Sequence, residues 1–339
     1  MNICVLFGGE SAEHEVSCST AKNIIDNLDR VKYDVYALGI TKHGEWRLTS
    51  ATSDEIARGD WECDSRLAYI PPDRTIHGIV AGYDKIKIDV VYFALHGTNG
   101  EDGTVQGLLE MAGIPYVGSG VLASAICMDK HVCRLVLRGV GINCAQYIAI
   151  NKDDCEKIQM VQDNFKYPVF VKPSNSGSSI GISKVRDKEE LQKALDDAFK
   201  YDSVVLVEEF IDGREFEVGI IGNRELESTI VGEVLTNSEF YDYEAKYTAG
   251  GAIVEIPADI TEQQTSEIQD AAKKAYAILG CRGLCRIDFF IENETGRIIL
   301  SELNTLPGCT ATSAFPILWR KSGVPFERVL DRIIDYALE

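Results

Sequence analysis

The sequence lacks any long hydrophobic run. No stretch of its 339 residues approaches the roughly 20 consecutive apolar residues that cross a bilayer. The opening MNICVLFGGE has no basic leader and only a short apolar run broken by glycines, so it reads as a buried first strand and predicts a cytoplasmic protein with no membrane partner. Positive charge is scarce too: 34 Lys and Arg stand against 53 Asp and Glu, a formal net charge of -19. That field argues against nucleic acid or an anionic membrane as partner, while leaving room for a local cationic pocket. Metal-type cysteine spacing is also missing. Ten cysteines are scattered along the chain, and neither the His14 and Cys18 pair nor the Cys281 and Cys285 pair has a third and fourth ligand beside it. They read as reduced, partly buried small hydrophobes. Absent as well are the Walker pattern, since GSSIGIS (177–183) has no lysine after its glycine, and the H-R-D and D-F-G signatures of protein kinases.

What is present is ordinary globular composition, 45% hydrophobic and 26% charged, on a chain long enough for about two or three domains. The first third alternates strand and helix: strands at 2–7, 33–40 and 89–95, with Val16, Ala21, Ile24, Ile25 and Leu28 at helical spacing between the first two. This predicts a parallel α/β unit over 1–122. Ligands of such sheets bind beyond the carboxyl ends of the strands, where GGESAEHEVS (8–17) and HGTNGEDG (96–103) fall. A second unit, 123–212, contains a helix over 128–137, two strands around a Gly/Ser tract, an amphipathic helix at 188–199 and a strand at 204–211. The third, 213–339, carries a capping-box start at Thr261 and Gln264 and a final helix with its apolar face on Phe326, Val329, Leu330, Ile333, Ile334 and Ala337. The expected class is therefore α/β followed by two α+β lobes.

Two stretches carry chemistry. In FVKPSNSGSSIGISKV (170–185) a lysine-ending strand leads into small residues whose backbone N–H groups can approach an anion, although a surface hairpin would read the same way. In RIDFFIENETGRIILSELNTLPG (286–308) two strand-like runs flank a turn at 293–296, so they should pair antiparallel. Residues two apart share a face, which sets Arg286 and Asp288 beside Glu302 and Asn304, with Ile287, Phe289, Ser301 and Leu303 opposite. Two carboxylates and an amide oxygen are hard donors of the kind Mg²⁺ takes alongside phosphate oxygens. A salt bridge from Arg286 on a solvated face is the plainer alternative.

Seven blocks in order, GGESAEHEVS, ALHGTNGEDGTVQG, GSGVLASAICMDK, VFVKPSNSGSSIGISKV, FYDYEAKY, CRIDFF and SELNTLPG, span the chain. Together they resemble the D-alanine–D-alanine ligases of the ATP-grasp superfamily. The resemblance implies an ATP-grasp fold, with ATP between the central and C-terminal lobes and the N-terminal α/β domain serving the substrate. It implies that Lys130, Lys172 and the loop bearing Ser179 bind the phosphates, that Glu208, Glu209 and Ile211 form the adenine hinge, that Glu215 holds the ribose, and that Lys246 meets the transferring phosphoryl group. Asp288, Glu302 and Asn304 match the ligands of Mg²⁺ or Mn²⁺, two ions being expected. Glu13 matches the acid receiving the first D-alanine's ammonium, His96 lies in the substrate loop, and Arg286 with the backbone at Gly308 matches the oxyanion site. Glu13, Ser178 and Tyr247 match the trio that closes a lid over about 239–251.

The implied reaction joins two D-alanines through a D-alanyl phosphate, for peptidoglycan precursor synthesis, in a cytoplasmic homodimer. Tyr247 fits the peptide-forming rather than the lactate-using class. The segment CTATSAFP departs from the family pattern: Ser313 keeps the hydroxyl for the second substrate's carboxylate, Cys309 replaces an aromatic, and Ala314 replaces a larger side chain. D-alanine is favoured as second substrate, with D-serine, another small D-amino acid or glycine as alternatives, and a non-catalytic nucleotide sensor as the reading from another class.

Overall fold

The computed structural model describes residues 1–152, 154–177, 180–236 and 252–339. The expected site residues Ser178, Ser179, Lys246 and Tyr247 lie outside the described residues, as does the whole of the expected lid over about 239–251.

The chain opens with β1 (Asn2–Gly8), whose six residues after Asn2 are buried, as a strand covered on both faces requires. Helix α1 (His14–Asn27) leads to β2 (Asp34–Ile40), then β3 (Trp46–Thr49), the short α2 (Ser53–Arg58) and β4 (Ser65–Leu67). A hairpin of β5 (Gly78–Ala81) and β6 (Asp84–Lys87) precedes β7 (Val90–Phe93) and α3 (Thr104–Ala112). The sheet order is β4-β3-β2-β1-β7. Only β2, β1 and β7 run parallel; β3 and β4 add on antiparallel. The expected parallel unit is thus a mixed sheet with a parallel centre.

Next come α4 (Val121–Met128) and α5 (Lys130–Gly139), where one helix over 128–137 was expected. Asp129 separates them with extended backbone (φ -84°, ψ 99°) and caps α5 by accepting the Val132 N–H. A short carboxylate favours an N-cap over a helix interior, so the chain restarts there. The following strands are β8 (Tyr147–Asn151), β9 (Val169–Pro173), β10 (Ser183–Val185) and β11 (Val204–Glu209), in sheet order β10-β9-β11-β8, with α6 (Cys155–Asn164) and α7 (Lys188–Ala198) between them.

A third sheet has the path β15-β14-β12-β16-β17, with β13 beside β12. Its strands are β12 (Gly213–Ile221), β13 (Glu227–Ser228), β14 (Gly232–Thr236), β15 (Ala252–Glu255), β16 (Leu284–Glu292) and β17 (Ile298–Asn304). Helix α8 (Glu262–Ile278) packs on it and starts at the expected capping box of Thr261 and Gln264. Two helices end the chain, α9 (Ala314–Lys321) and α10 (Phe326–Ala337). Their buried Phe315, Trp319, Val329, Leu330, Ile333 and Ile334 join the core of the first sheet, with Ile3, Val5 and Phe7. Each fully buried aliphatic there contributes about 1.5–3 kcal/mol, so these helices are integral to the N-terminal core. Among the described residues no helix is long and apolar enough to cross a membrane.

Candidate functional site

The site is assembled where loops from all three sheets converge. After β1, the Ser17 hydroxyl accepts from the Gly8 N–H (2.7 Å) and donates to the Ala94 carbonyl (2.6 Å), which fixes the start of α1 against the end of the β7 segment. The two glycine-bearing loops are thereby set side by side. Ser11 donates to the His96 carbonyl (2.8 Å), and buried Glu13 lies against Gly97. Gly97 has φ +69°, and a Cβ there would sit 2.9 Å from Glu13 Oε2, so the carboxylate uses the space glycine leaves. Gly177, the last described residue before the gap in the Gly/Ser tract, approaches the same oxygen.

His96 is buried between Thr20 (Nε2 to Oγ1, 3.0 Å) and Glu101 (Nδ1 to Oε1, 3.5 Å). Burial pulls its pKa down, but the Glu101 bond and the charges of Glu101 and Glu13 outweigh it, and the net direction is upward. Glu13, His96, Arg286, Glu302, Asn304 and Gly308 line one cavity. Ser313 and Ala314 are not part of its wall. Ser313 bonds Thr310 (Oγ to Oγ1, 2.7 Å), its Oγ lies 3.0 Å from where a Gly308 Cβ would stand, and Ala314 is buried at the head of α9. Cys309 is buried in the first core, its thiol on the Pro307 carbonyl.

The polar quartet forms as the strand argument anticipated. Arg286 pairs with Asn304 and Asp288 with Glu302 across β16 and β17. Arg286 donates to both oxygens of Asp288 (Nε to Oδ1 and Nη2 to Oδ2, each 2.8 Å), and Asn304 Nδ2 adds a 3.0 Å bond to Asp288. Arg286 also lies 3.3 Å from Glu217, a carboxylate only 1% exposed on β12 directly opposite Asp288. One expectation fails. The register shifts after Asp288, so Phe289 faces Leu300 and Ser301 is the extra residue of a bulge. Ser301 consequently joins Phe290 and Ile299 on a cavity wall rather than facing away.

That second cavity, about 490 Å³, is also lined by Lys172, Glu208, Glu209, Ile211 and Glu215. Phe170 and Phe210 supply flat apolar walls, their ring centres 6.1 Å apart. Glu208 holds two cations: Lys172 on one oxygen and Arg134 on the other. Burial lowers the Lys172 pKa, and the neighbouring charges of Arg134 and Lys130 push the same way against Glu208. Glu208 would rise on burial, but Arg134 and Lys172 hold it below the usual carboxylate value. Lys130, first residue of α5, donates to the Ser176 carbonyl (2.5 Å) and pairs with Glu302 at 3.4 Å. Ser174 pins that helix start by donating to Asp129 (2.6 Å) and accepting the His131 N–H.

Arg134, Glu101, Glu217 and Ser301 were not anticipated. Arg134 stands four after Lys130 on one helix face, and Glu217 two after Glu215 on one strand face; both spacings were signals. Asp288 and Glu302, opposite one another with Asn304 adjacent, present oxygen donors that fit a hard divalent cation.

Residues 2–119 match the family model for the D-Ala-D-Ala ligase N-terminus, and residues 136–335 the model for the C-terminus. A D-alanine–D-alanine ligase from Acetivibrio thermocellus is 43% identical over 362 residues, covering 99% of this chain and 96% of that one; a relative of the same name from Thermoanaerobacter pseudethanolicus is 44% identical with 99% and 96% coverage. Among solved structures, a D-Ala:D-Ser ligase from Enterococcus faecalis superposes with a TM-score of 0.92 at 37% identity, covering 99% of both chains. The D-alanine–D-alanine ligase from Coxiella burnetii gives 0.89 at 32%, covering 100% of this chain and 94% of that one. Matched in both halves and along its whole length, the chain belongs to the D-alanine–D-alanine ligase family.

Proposed function

We propose that the protein joins two D-alanines at the expense of ATP, releasing ADP and phosphate. One observation carries the reading: consecutive residues of β17 line two cavities, Ser301 the aromatic-walled one and Glu302 the one holding Glu13, His96 and Arg286. A nucleotide in the first would direct its terminal phosphate at a carboxylate in the second. Phe170 and Phe210 suit a flat base, Glu209 and Ile211 lie on the hinge, and Glu215 serves the ribose.

Lys130 and Lys172 neutralise the phosphates, with Lys246 and Ser179 contributing from outside the described residues. Glu13 receives the ammonium of the first amino acid while His96 braces that loop. A carboxylate oxygen of this amino acid attacks the terminal phosphorus and ADP leaves. The amine of the second amino acid then adds to the acyl phosphate carbonyl, and phosphate departs as the amide forms. Arg286 and the Gly308 N–H stabilise the oxyanion, and Ser313 takes the second carboxylate. Asp288, Glu302 and Asn304 would hold Mg²⁺ or Mn²⁺, which when bound supplies charge neutralisation on the phosphates. Ser178 and Tyr247, with Glu13, complete the closure that keeps water from the acyl phosphate. The units 1–122, 123–212 and 213–339, a cytoplasmic location, a homodimer and a role in peptidoglycan precursor supply belong to the same reading and rest on the family.

The test is phosphate release from MgATP with D-alanine alone, then with D-serine, D-lactate, glycine or L-alanine added, products being identified by mass. D-alanyl-D-alanine from D-alanine alone is expected. Turnover only with a second compound would reassign the second subsite, and no turnover under any condition would sink the enzyme reading.

A further inference from the structure

Four buried cysteines surround the joint between α4 and the start of β16. Cys127 lies in the last turn of α4, Cys133 lies on α5, Cys281 precedes β16 and Cys285 lies within it; their exposures are 5%, 5%, 4% and 0%. The sulfurs of Cys127 and Cys281 are 3.9 Å apart, although the residues are 154 positions apart in sequence. Cys127 also contacts Cys133, and Cys281 contacts Cys285. A zinc-type site is not what this cluster offers: among the described residues no three His, Cys, Asp or Glu side chains are placed to hold a metal ion. Cys127, unlike the other three, also lines the cavity of Glu13, His96 and Arg286.

We propose that Cys127 and Cys281 are a modification site, forming a reversible disulfide when a hydroperoxide enters through the amino-acid cavity, and that this bond shuts the enzyme off. The chemistry balances with the peroxide as sole oxidant. The Cys127 sulfur, on the cavity wall, attacks the terminal peroxide oxygen, the O–O bond breaks, and one water (or alcohol) leaves. The Cys281 sulfur then attacks the Cys127 sulfenic acid, the S–S bond forms, and a second water departs with the remaining thiol proton. Hydrogen bonds from Cys127, Cys285 and Ser119 favour the Cys281 thiolate against its burial. Ser119 is oriented for this, because its oxygen already accepts the Arg282 N–H (3.3 Å) and its own proton is left to donate.

The bond would act on the site mechanically. A disulfide needs the sulfurs at about 2.05 Å, roughly 2 Å nearer than they stand, and whatever part of that the two side chains do not cover by rotation is taken up by the last turn of α4. Two residues after Cys127 comes Asp129, the cap of α5, and next Lys130, which holds the Ser176 carbonyl and Glu302. Displacing that lysine by about 1 Å is enough to cost up to ~100-fold in rate.

The experiment uses the full chain, reduced and then exposed to hydrogen peroxide, with peptide mapping under non-reducing conditions and activity measured before and after dithiothreitol. A Cys127 to Cys281 cross-linked peptide is expected, with activity down at least about 10-fold and restored on reduction. Cys281→Ala should keep its activity through the same treatment. Absence of that peptide, a Cys281 to Cys285 cross-link in its place, or equal inactivation of the variant would overturn the proposal. The wild-type peptide map stands whether or not the variant folds, and it does not depend on which amino acids the enzyme joins.

Discussion

Lys172 and Glu208 form an ion pair across two antiparallel strands, Lys172 lying opposite Leu206 and Glu208 two residues further along β11 on the same face. Because Arg134 grips the other oxygen, the carboxylate holds two buried cations and losing it strands both. Glu208→Ala is therefore expected to cost about 3–5 kcal/mol of stability in urea unfolding, more than Lys172→Ala, which leaves Glu208 with Arg134. Lys172→Ala should act instead on nucleotide binding, raising the KM for ATP at least about 10-fold. Equal stability losses for the two would refute the two-cation arrangement.

The same carboxylate gives an acid limb. Its folded pKa lies below the ordinary glutamate value of 4.5, so the stability it contributes is complete above that value and lost as pH falls through the folded one. Glu208→Gln should flatten the stability decline below about pH 4.5, as followed by urea midpoints from pH 7 to 3.

His96 titrates in the opposite sense. Its folded pKa is raised above the ordinary 6.5, chiefly because Glu101 and Glu13 overcome the burial that lowers it. The charged His96 thus contributes stability that is present below 6.5 while Glu101, whose pKa burial raises, stays ionised, and that is lost as pH rises through the folded His96 value. A proton NMR titration of the imidazole should place the wild-type midpoint above 6.5, with Glu101→Gln shifting it down. An unmoved midpoint in the variant would remove Glu101 from this role.

Gly97→Ala places a methyl group where Glu13 now sits, 2.9 Å from its oxygen, and requires a left-handed backbone that costs alanine about 1–2 kcal/mol. The expected signature is a rise in KM for the first amino acid with KM for ATP little changed. A change confined to ATP would place the loop elsewhere in the mechanism.

Asp288→Asn should raise the Mg²⁺ concentration needed for half-maximal activity by at least about 10-fold, and Mn²⁺ affinity measured by electron paramagnetic resonance should fall in parallel. Because Arg286 spans Asp288 and Glu217, the neutral side chain also releases the guanidinium toward Glu217. Unchanged Mn²⁺ affinity would mean that the quartet is an ion-pair network without a metal.

Much of this was legible because it rests on local periodicity. The pairing of Arg286 with Asn304 and Asp288 with Glu302 follows from two runs joined by a short turn, and the Thr261 capping box from four residues of sequence. The Ser301 bulge was not legible, since it inserts a residue into an otherwise unbroken alternation, and neither was the helix break at Asp129, whose cap is completed by Ser174 from a distant strand. The antiparallel strands β3 and β4 are only four and three residues long, so periodicity carries little signal there. Glu217 and Arg134 act through partners remote in sequence; their spacing marked the face but not the contact.

Helix α10 lays Val329, Leu330, Ile333 and Ile334 into the core built on β1, so a strand starting at Asn2 is completed by residues more than 300 positions later. During synthesis β1 must wait with apolar surface uncovered while more than 300 further residues are translated. That interval exposes the nascent chain to self-association and to chaperones, and truncation before α10 would leave the core around β1 uncovered.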